Sequence, residues 1–577
     1  MTDPAEKAGD AGVSQQSLAP GPGRASNALS VIATAIALGL LALVAGTLVW
    51  RLPYGVGLND EPFYVVMARD FAAGARPFAD NYTPHQMFAW LVAPCVWGYQ
   101  RLTGGSTGLV IALRVLWLGL SCGVSAVVFA FVRKVVDWRI ALVSALMPVA
   151  LVPLCIVTVS YDTLASIFLA AGIGLAGIGA LEDGRWWATL AGGAFIGLAG
   201  ITYPTLTVVA VLAIAGYRLA SGSWRKAGLL ALGAGFIAAF VALLLLPTLS
   251  SLHFVVDLAR DVPIFAGGAD KVEFVLGRAC AALAVQPAAW LALAALVWRL
   301  AVRRRPPWLL VAAIALAAAW PLVTPTVLQA GTTAWLLLLG ALAVGWDAPS
   351  ETADRVVTWG LAVGLVSAVL YSYTSTNGFV AGAFAASSVA WLALAVLLDG
   401  VVRARAPGLA GAWRLPGATA LAAVLIAGSL FALATATFQD DPPASLTARV
   451  GAGPLAGMRT TPERAGLIGG LSRDLATVHA QSSRVFGYDD FALACLLAGG
   501  SASPQPWVAR RDAAVPAAVA LITGYMEMPG RMPQVVVKRL LLVESDYTSQ
   551  PNGYDRWVAQ HYRPVIFEPD YVVMVRR

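Results

Sequence analysis

The chain has 577 residues, of which 58% are hydrophobic and only 12% charged, and its mean hydropathy is +0.73. That charge content is about half that of a soluble domain, which excludes a water-soluble fold. The net charge of +7 does not point to nucleic acid, because the basic residues fall in loops between apolar runs. Five cysteines and four histidines are scattered without disulfide or metal-ligand spacing.

Residues 1–27, rich in Gly, Ala, Ser and Pro, read as a disordered cytoplasmic leader. Apolar runs of about 17 to 25 residues then predict membrane helices, because unpaired backbone groups in hydrocarbon cost several kcal/mol. They lie near 28–50, 108–132, 139–157, 162–181, 186–202, 204–219, 227–248, 276–300, 307–323, 331–346, 356–373, 378–398 and 416–438. The fold class expected is therefore an α-helical polytopic membrane protein of about 13 spans, with 28–438 as its transmembrane domain. Seventeen Lys and Arg fall in one set of loops, including Arg303, Arg304 and Arg305, against seven in the other before the tail. Positive charge marks the cytoplasmic side, so the N-terminus is expected inside and the tail outside. Beyond Asp440-Asp441-Pro442-Pro443, residues 439–577 show soluble-length helix and strand patterns that predict a small extracytoplasmic α/β domain.

The first outer loop, 51–107, is unusually long, and long loops in compact proteins are usually functional. Asp60 and Glu61 open a segment in which Tyr64, Val65, Ala68, Phe71 and Ala72 form one stripe, with Gly74 able to end it. This predicts an amphipathic helix lying in the outer interface with two carboxylates at its start. Asp60 then either caps the helix, worth about 1 kcal/mol, or acts as a base toward an incoming hydroxyl. Tyr371 to Gly378 reads as a polar hairpin, either a plain helix-ending Asn-Gly turn or a binder of sugar hydroxyls through its own hydroxyls and the Asn377 amide.

The Asp60-Glu61 pair, the Gly74-Ala75-Arg76-Pro77-Phe78-Ala79-Asp80 turn and the SYDTLASIFLAAG segment containing Asp162 resemble the GT-C glycosyltransferases, in particular the protein O-mannosyltransferase and aminoarabinose-transferase branch. The likeness covers most of the first 220 residues and part of the tail. It implies an inverting transfer from a polyprenyl-phosphate sugar to a glycan, lipid or protein hydroxyl, with Asp60 as base and Glu61 in support. It also implies substrate contacts from Asp80, His85, Asp162, Tyr203 and Asn377. No cofactor is implied with certainty, and a divalent cation stays open. Candidate cations for the donor phosphate are Arg260, Lys271, Arg76 and Arg114. One departure is Tyr203, which stands where the family often carries a Lys. The partners expected are the lipid-linked donor, the acceptor and membrane lipids, without nucleic acid. The Ala-, Gly- and Arg-rich composition suggests a high-GC bacterium, and hence its plasma membrane. A polytopic transporter and a lipid-linked-oligosaccharide ligase or polymerase are the rival readings, with a non-catalytic scaffold as a third.

Overall fold

The structure, a computed structural model, describes residues 23–81, 83–251, a few positions between 256 and 294, 329–344, 346, 348–375, 377–403, 413–504, 516–540 and 553–577. The predicted spans 276–300 and 307–323 fall almost wholly outside the described residues, as do Arg260 and Lys271. The chain runs through α1 (Gly23–Arg51), α2 (Asp60–Ala72), α3 (Met87–Thr103), α4 (Leu109–Val132), α5 (Trp138–Ala145), α6 (Met147–Ala150), α7 (Tyr161–Leu181), α8 (Trp186–Thr202), α9 (Leu206–Ser221) and α10 (Trp224–Leu245). Next come α11 (Gln329–Val344), α12 (Glu351–Thr374), α13 (Phe379–Arg403) and α14 (Arg414–Thr435). Among the described residues seven helices, α1, α4, α7, α10, α12, α13 and α14, are long and apolar enough to cross a membrane. Four shorter apolar stretches, α5 with α6, α8, α9 and α11, accompany them.

Glycine sets the spacing of the bundle. A Cβ at Gly193 would lie 2.0 Å from the Leu230 carbonyl oxygen, and one at Gly233 would lie 2.0 Å from that of Leu190. The backbones of α8 and α10 therefore touch directly, as small residues allow between membrane helices. α13 is buried along almost its whole length and forms the centre of the bundle, whereas α10 exposes Leu232, Phe236 and Leu243.

The expected continuous span 139–157 is broken. α5 ends at Ala145, α6 covers four residues, and a short 3-10 turn follows at Pro153–Cys155. Pro148 and Pro153 each remove a backbone donor, and Leu154 and Cys155 take left-handed φ values of 55° and 56°. Non-helical backbone at this depth is tolerable because it is buried in protein.

The first loop also departs from expectation. α2 forms, but Glu61 to Arg69 and Phe71 are all buried, so it does not lie in an interface. A second helix, α3, follows it through Pro94. What covers α2 is α3 together with the tail, whose Leu493 N–H donates to the Leu58 carbonyl just before α2 at 2.9 Å and whose Tyr525 hydroxyl donates to the Ala79 carbonyl beyond it at 2.8 Å.

The tail opens with the two-residue antiparallel pair β1 (Ala448–Arg449) and β2 (Arg459–Thr460), then α15 (Pro462–Thr477), β3 (Val485–Tyr488), α16 (Ala492–Ala498), α17 (Pro516–Glu527), β4 (Val535–Arg539), α18 (Gly553–His561), β5 (Tyr562–Phe567) and β6 (Tyr571–Arg576). Its main sheet has the order β3-β4-β6-β5, with β3 and β4 parallel and the other pairs antiparallel. Alternation along the strands sends Val485, Val535 and Val573 into the core shared with the helical bundle. It sends Phe486, Val536 and Met574 into a separate core with Ile522, Tyr525 and Trp557. One face of the sheet thus belongs to the same apolar core as the membrane helices.

Candidate active site

The two adjacent acids at the start of α2 have different fates. The N-cap of this helix is Asn59, so Asp60 is its first helical residue and does not cap it. Glu61 turns inward to Arg114 near the start of α4, which donates through Nε to Oε1 at 2.7 Å and through Nη2 to Oε2 at 2.5 Å. Arg114 also donates to the carbonyls of Leu52 (2.7 Å), Tyr54 (2.8 Å) and Gly55 (2.7 Å). A guanidinium has five N–H donors, and these five bonds use them all. Arg114, expected as a candidate for the donor phosphate, therefore has no donor left for one. Next to it the buried Arg51 donates from Nε to the Leu433 carbonyl at 2.9 Å and from Nη1 to that of Tyr54, joining the end of α1 to the end of α14.

Asp60 is only half-buried. Its Oδ1 accepts from Asn59 Nδ2 at 3.3 Å and its Oδ2 from Gln439 Nε2 at 2.8 Å, while its own N–H donates to Gln439 Oε1 at 3.3 Å. The other end of α2 is held by Arg69, which donates to the carbonyls of Cys495 (3.2 Å), Leu496 (3.3 Å) and Gly500 (2.5 Å) at the end of α16. Asp70 accepts from the Ala502 N–H at 3.0 Å, and burial pushes its carboxyl above the usual range.

Beside Asp60 stands a wall of aromatic rings drawn from five segments. Tyr203, at the end of α8, stacks on Tyr371 of α12 with ring centroids 3.6 Å apart. His85 lies 4.7 Å from the ring of Tyr161 and 4.7 Å from that of Tyr203. Tyr64 of α2 meets Tyr161 edge-on at 5.7 Å and Phe88 at 5.6 Å. Asp162 is buried at the same end, in the first turn of α7, and accepts a hydrogen bond from the Tyr371 hydroxyl. A reciprocal capping box between Ser160 and Thr163 starts that helix and fixes its position (2.9 and 3.0 Å). Asp60 and Tyr64 stand one turn apart on α2, and burial, then Tyr161, Asp60 and Asp162, raises the Tyr64 phenol well above its usual value. Burial lowers His85 to about 4, so it is neutral near pH 7.

The remaining expected residues are more peripheral. Asp80 folds its own loop, accepting from the Arg76 N–H at 2.9 Å and Nε at 3.3 Å. Burial pushes the Asp80 carboxyl up, but these contacts outweigh it and hold the group below its usual value. Arg76 is largely exposed and ion-paired to Asp80. Asn377 is exposed, with its N–H donating to Ser375 Oγ at 3.1 Å. Sequence reasoning did not assign Tyr64, Tyr161 or Gln439 to the site, and took in Tyr371 only as one hydroxyl of the polar hairpin. Tyr161 was within reach, since it adjoins Asp162; Gln439 carried no local signal. Among the described residues no three His, Cys, Asp or Glu side chains converge to hold a metal ion, and no step below uses one.

No protein-family model matches the chain, and no curated protein matches it. Among solved structures it is similar to the archaeal oligosaccharyltransferase AglB from Archaeoglobus fulgidus in complex with an inhibitory peptide and a dolichol-phosphate. That likeness has 13% identity and a TM-score of 0.41, over 87% of this chain and 69% of that one. It is also similar to ArnT from Cupriavidus metallidurans in the apo state, at 16% identity and TM-score 0.40, over 94% of this chain and 98% of that one. ArnT bound to undecaprenyl phosphate matches at 15% identity and TM-score 0.40, over 93% and 97% of the two chains. These structural neighbours are GT-C glycosyltransferases.

Proposed function

We propose that the protein is an inverting glycosyltransferase that moves a sugar from a polyprenyl-phosphate donor to an acceptor hydroxyl at the outer face of the bacterial plasma membrane. The observation that carries this reading is the convergence of a half-buried carboxylate, Asp60, and a buried one, Asp162, on a wall of His85 and four tyrosines. Asp60 takes the proton of the acceptor hydroxyl as its oxygen attacks the anomeric carbon. The bond from that carbon to the phosphate oxygen breaks on the opposite face, its electrons leave with the phosphate, and the anomeric configuration inverts. Aromatic faces suit the apolar C–H face of a sugar, and Asp162 and Asn377 are the groups to bind its hydroxyls, with the Tyr371 hydroxyl committed to holding Asp162. Glu61 supports the reaction indirectly, by fixing the start of α2 through Arg114. With Arg114 committed, charge on the leaving phosphate falls to Arg260 or Lys271, with Arg76 on the periphery; cationic donors are what a developing phosphate charge requires.

The test is transfer by the reconstituted protein from radiolabelled polyprenyl-phospho-sugars. The Asp60→Asn variant keeps the side-chain shape and should insert and fold normally, yet turn over roughly 100-fold more slowly, the usual scale for losing a general base. Full turnover by a well-folded Asp60→Asn protein would overturn the assignment.

A further inference from the structure

Asp60 is held by a residue from the far end of the chain. Gln439 follows α14 by four residues, at the start of the linker to the tail, and touches Asp60 twice: Nε2 donates to Oδ2 at 2.8 Å and Oε1 accepts the Asp60 N–H at 3.3 Å. One contact is to the carboxylate and the other to the backbone of the same residue, so the amide ties one carboxylate oxygen to the start of α2.

The backbone of Gln439 stands at φ 59°, in the left-handed region. A residue with a Cβ is strained there, and such strain persists only where the surroundings enforce it. They do so here. Arg464 of α15 donates from Nη1 to the Gln439 carbonyl at 2.6 Å and to the Val56 carbonyl at 2.8 Å. The neighbouring Asp440 accepts from the Val56 N–H at 2.7 Å and from Thr460 Oγ1 at 2.9 Å, and pairs with Arg464 at 2.9 Å. Gly57 leaves the room for the amide, since a Cβ there would sit 3.1 Å from Gln439 Oε1.

We propose that Gln439 is a positioning residue, which holds the Asp60 carboxylate in the orientation that accepts the proton of the acceptor hydroxyl. The strained backbone is the means by which the tail presents the amide. This inference rests on the reading of Asp60 as the base. Asn59 donates to the other carboxylate oxygen, so the two amides together set the direction of the carboxylate toward the incoming hydroxyl.

The experiment measures kcat, KM and melting temperature for Gln439→Gly and Gln439→Glu in the full-length reconstituted protein, beside Asp60→Asn. Glycine relieves the left-handed backbone while deleting the amide, so Gln439→Gly should melt at or above the wild-type temperature. Its kcat should fall about 10- to 100-fold, the scale for a misaligned catalytic group, with donor KM little changed. Gln439→Glu places a second carboxylate against Asp60 and should move the acidic limb of the rate profile to higher pH; an unmoved limb would show that residue 439 does not stand against the base and would overturn the inference. Full turnover of Gln439→Gly with an inactive Asp60→Asn overturns this inference and leaves the site reading standing. A kcat loss that only tracks a loss of melting temperature overturns it as well. Full turnover of both variants overturns the site reading and this inference with it.

Discussion

The two ends of the helical bundle use the same charged residue types for different purposes. At the end away from the tail, Lys226 pairs with a fully exposed Asp183 at 2.7 Å, Arg355 pairs with an exposed Glu351 at 3.1 Å, and Lys134 and Arg185 share Glu182. At the tail end Arg51, Arg69 and Arg114 are buried, and all three donate to backbone carbonyls. Exposed pairs contribute little to stability, and on the proposed topology charge at the first end marks the cytoplasmic side. Buried arginines are costly to strand, so at the second end they join chain segments that are remote in sequence and frame the proposed site.

If this contrast is right, the sharpest break in it is all-or-none. A reporter active only outside the cytoplasm should be active when fused after Arg577 and silent after Arg305, and the reverse pattern would move the site to the cytoplasmic side. Next in size, Arg114→Ala strands Glu61 as an unpaired buried charge and should cost about 3–5 kcal/mol. Thermal unfolding in detergent would read this, and Arg114→Met combined with Glu61→Leu should recover much of the loss.

A smaller effect is expected in pH. His85 is held neutral in the folded protein, with its pKa lowered to about 4 by burial, whereas in the unfolded chain it takes up a proton below about 6.5. The unfolded state thus binds more protons between these values, so stability is full above about 6.5 and falls on acidification toward 4. Replacing His85 with Phe keeps a stacking ring and removes the titration, so the melting temperature of that variant should decline less over this window. The smallest effect belongs to the other end. Arg355→Ala, which removes an exposed pair with Glu351, should change stability by at most about 1 kcal/mol, and a loss as large as that of Arg114→Ala would erase the contrast between the ends.

The helices were largely legible in the sequence because hydrocarbon imposes length and apolarity on each one separately. Leu109–Val132, Tyr161–Leu181 and Trp186–Thr202 lie within a residue of the expected bounds. Failures came where one segment depends on another. The stripe in α2 looked interfacial because nothing local shows that α16 and α3 cover it. The prolines in 139–157 were visible, but not the left-handed turn at Leu154 and Cys155 that their burial permits. α3 was hidden by Pro94 and its polar end. In the site, Asp60 stood out as one of an acidic pair at a helix start and Asp162 through the resemblance of its segment, and the structure brings both to one end. Arg114 was singled out with the wrong partner, because Glu61 is 53 positions away. Gln439 is 379 positions from Asp60 and has nothing in its own neighbourhood to mark it.

α2 behaves as a lintel fixed at both supports, at Glu61 by Arg114 and at Arg69 by the carbonyls of α16. Between them Val65, Val66 and Met67 have no exposed surface, so the helix has neither a free end to swing nor slack to bow. Displacing it would strand two buried guanidinium groups at once. On the proposed reading Asp60 is a stationary point in the catalytic cycle, and the opening that admits a lipid donor has to come from walls that are not pinned in this way. The turn after α12, where Asn377 is exposed, fits that requirement, whereas the 74–80 turn is tied to the tail through the Ala79 carbonyl. A spectroscopic label at Asn377 should then report substrate arrival, while one on α2 should stay silent through turnover.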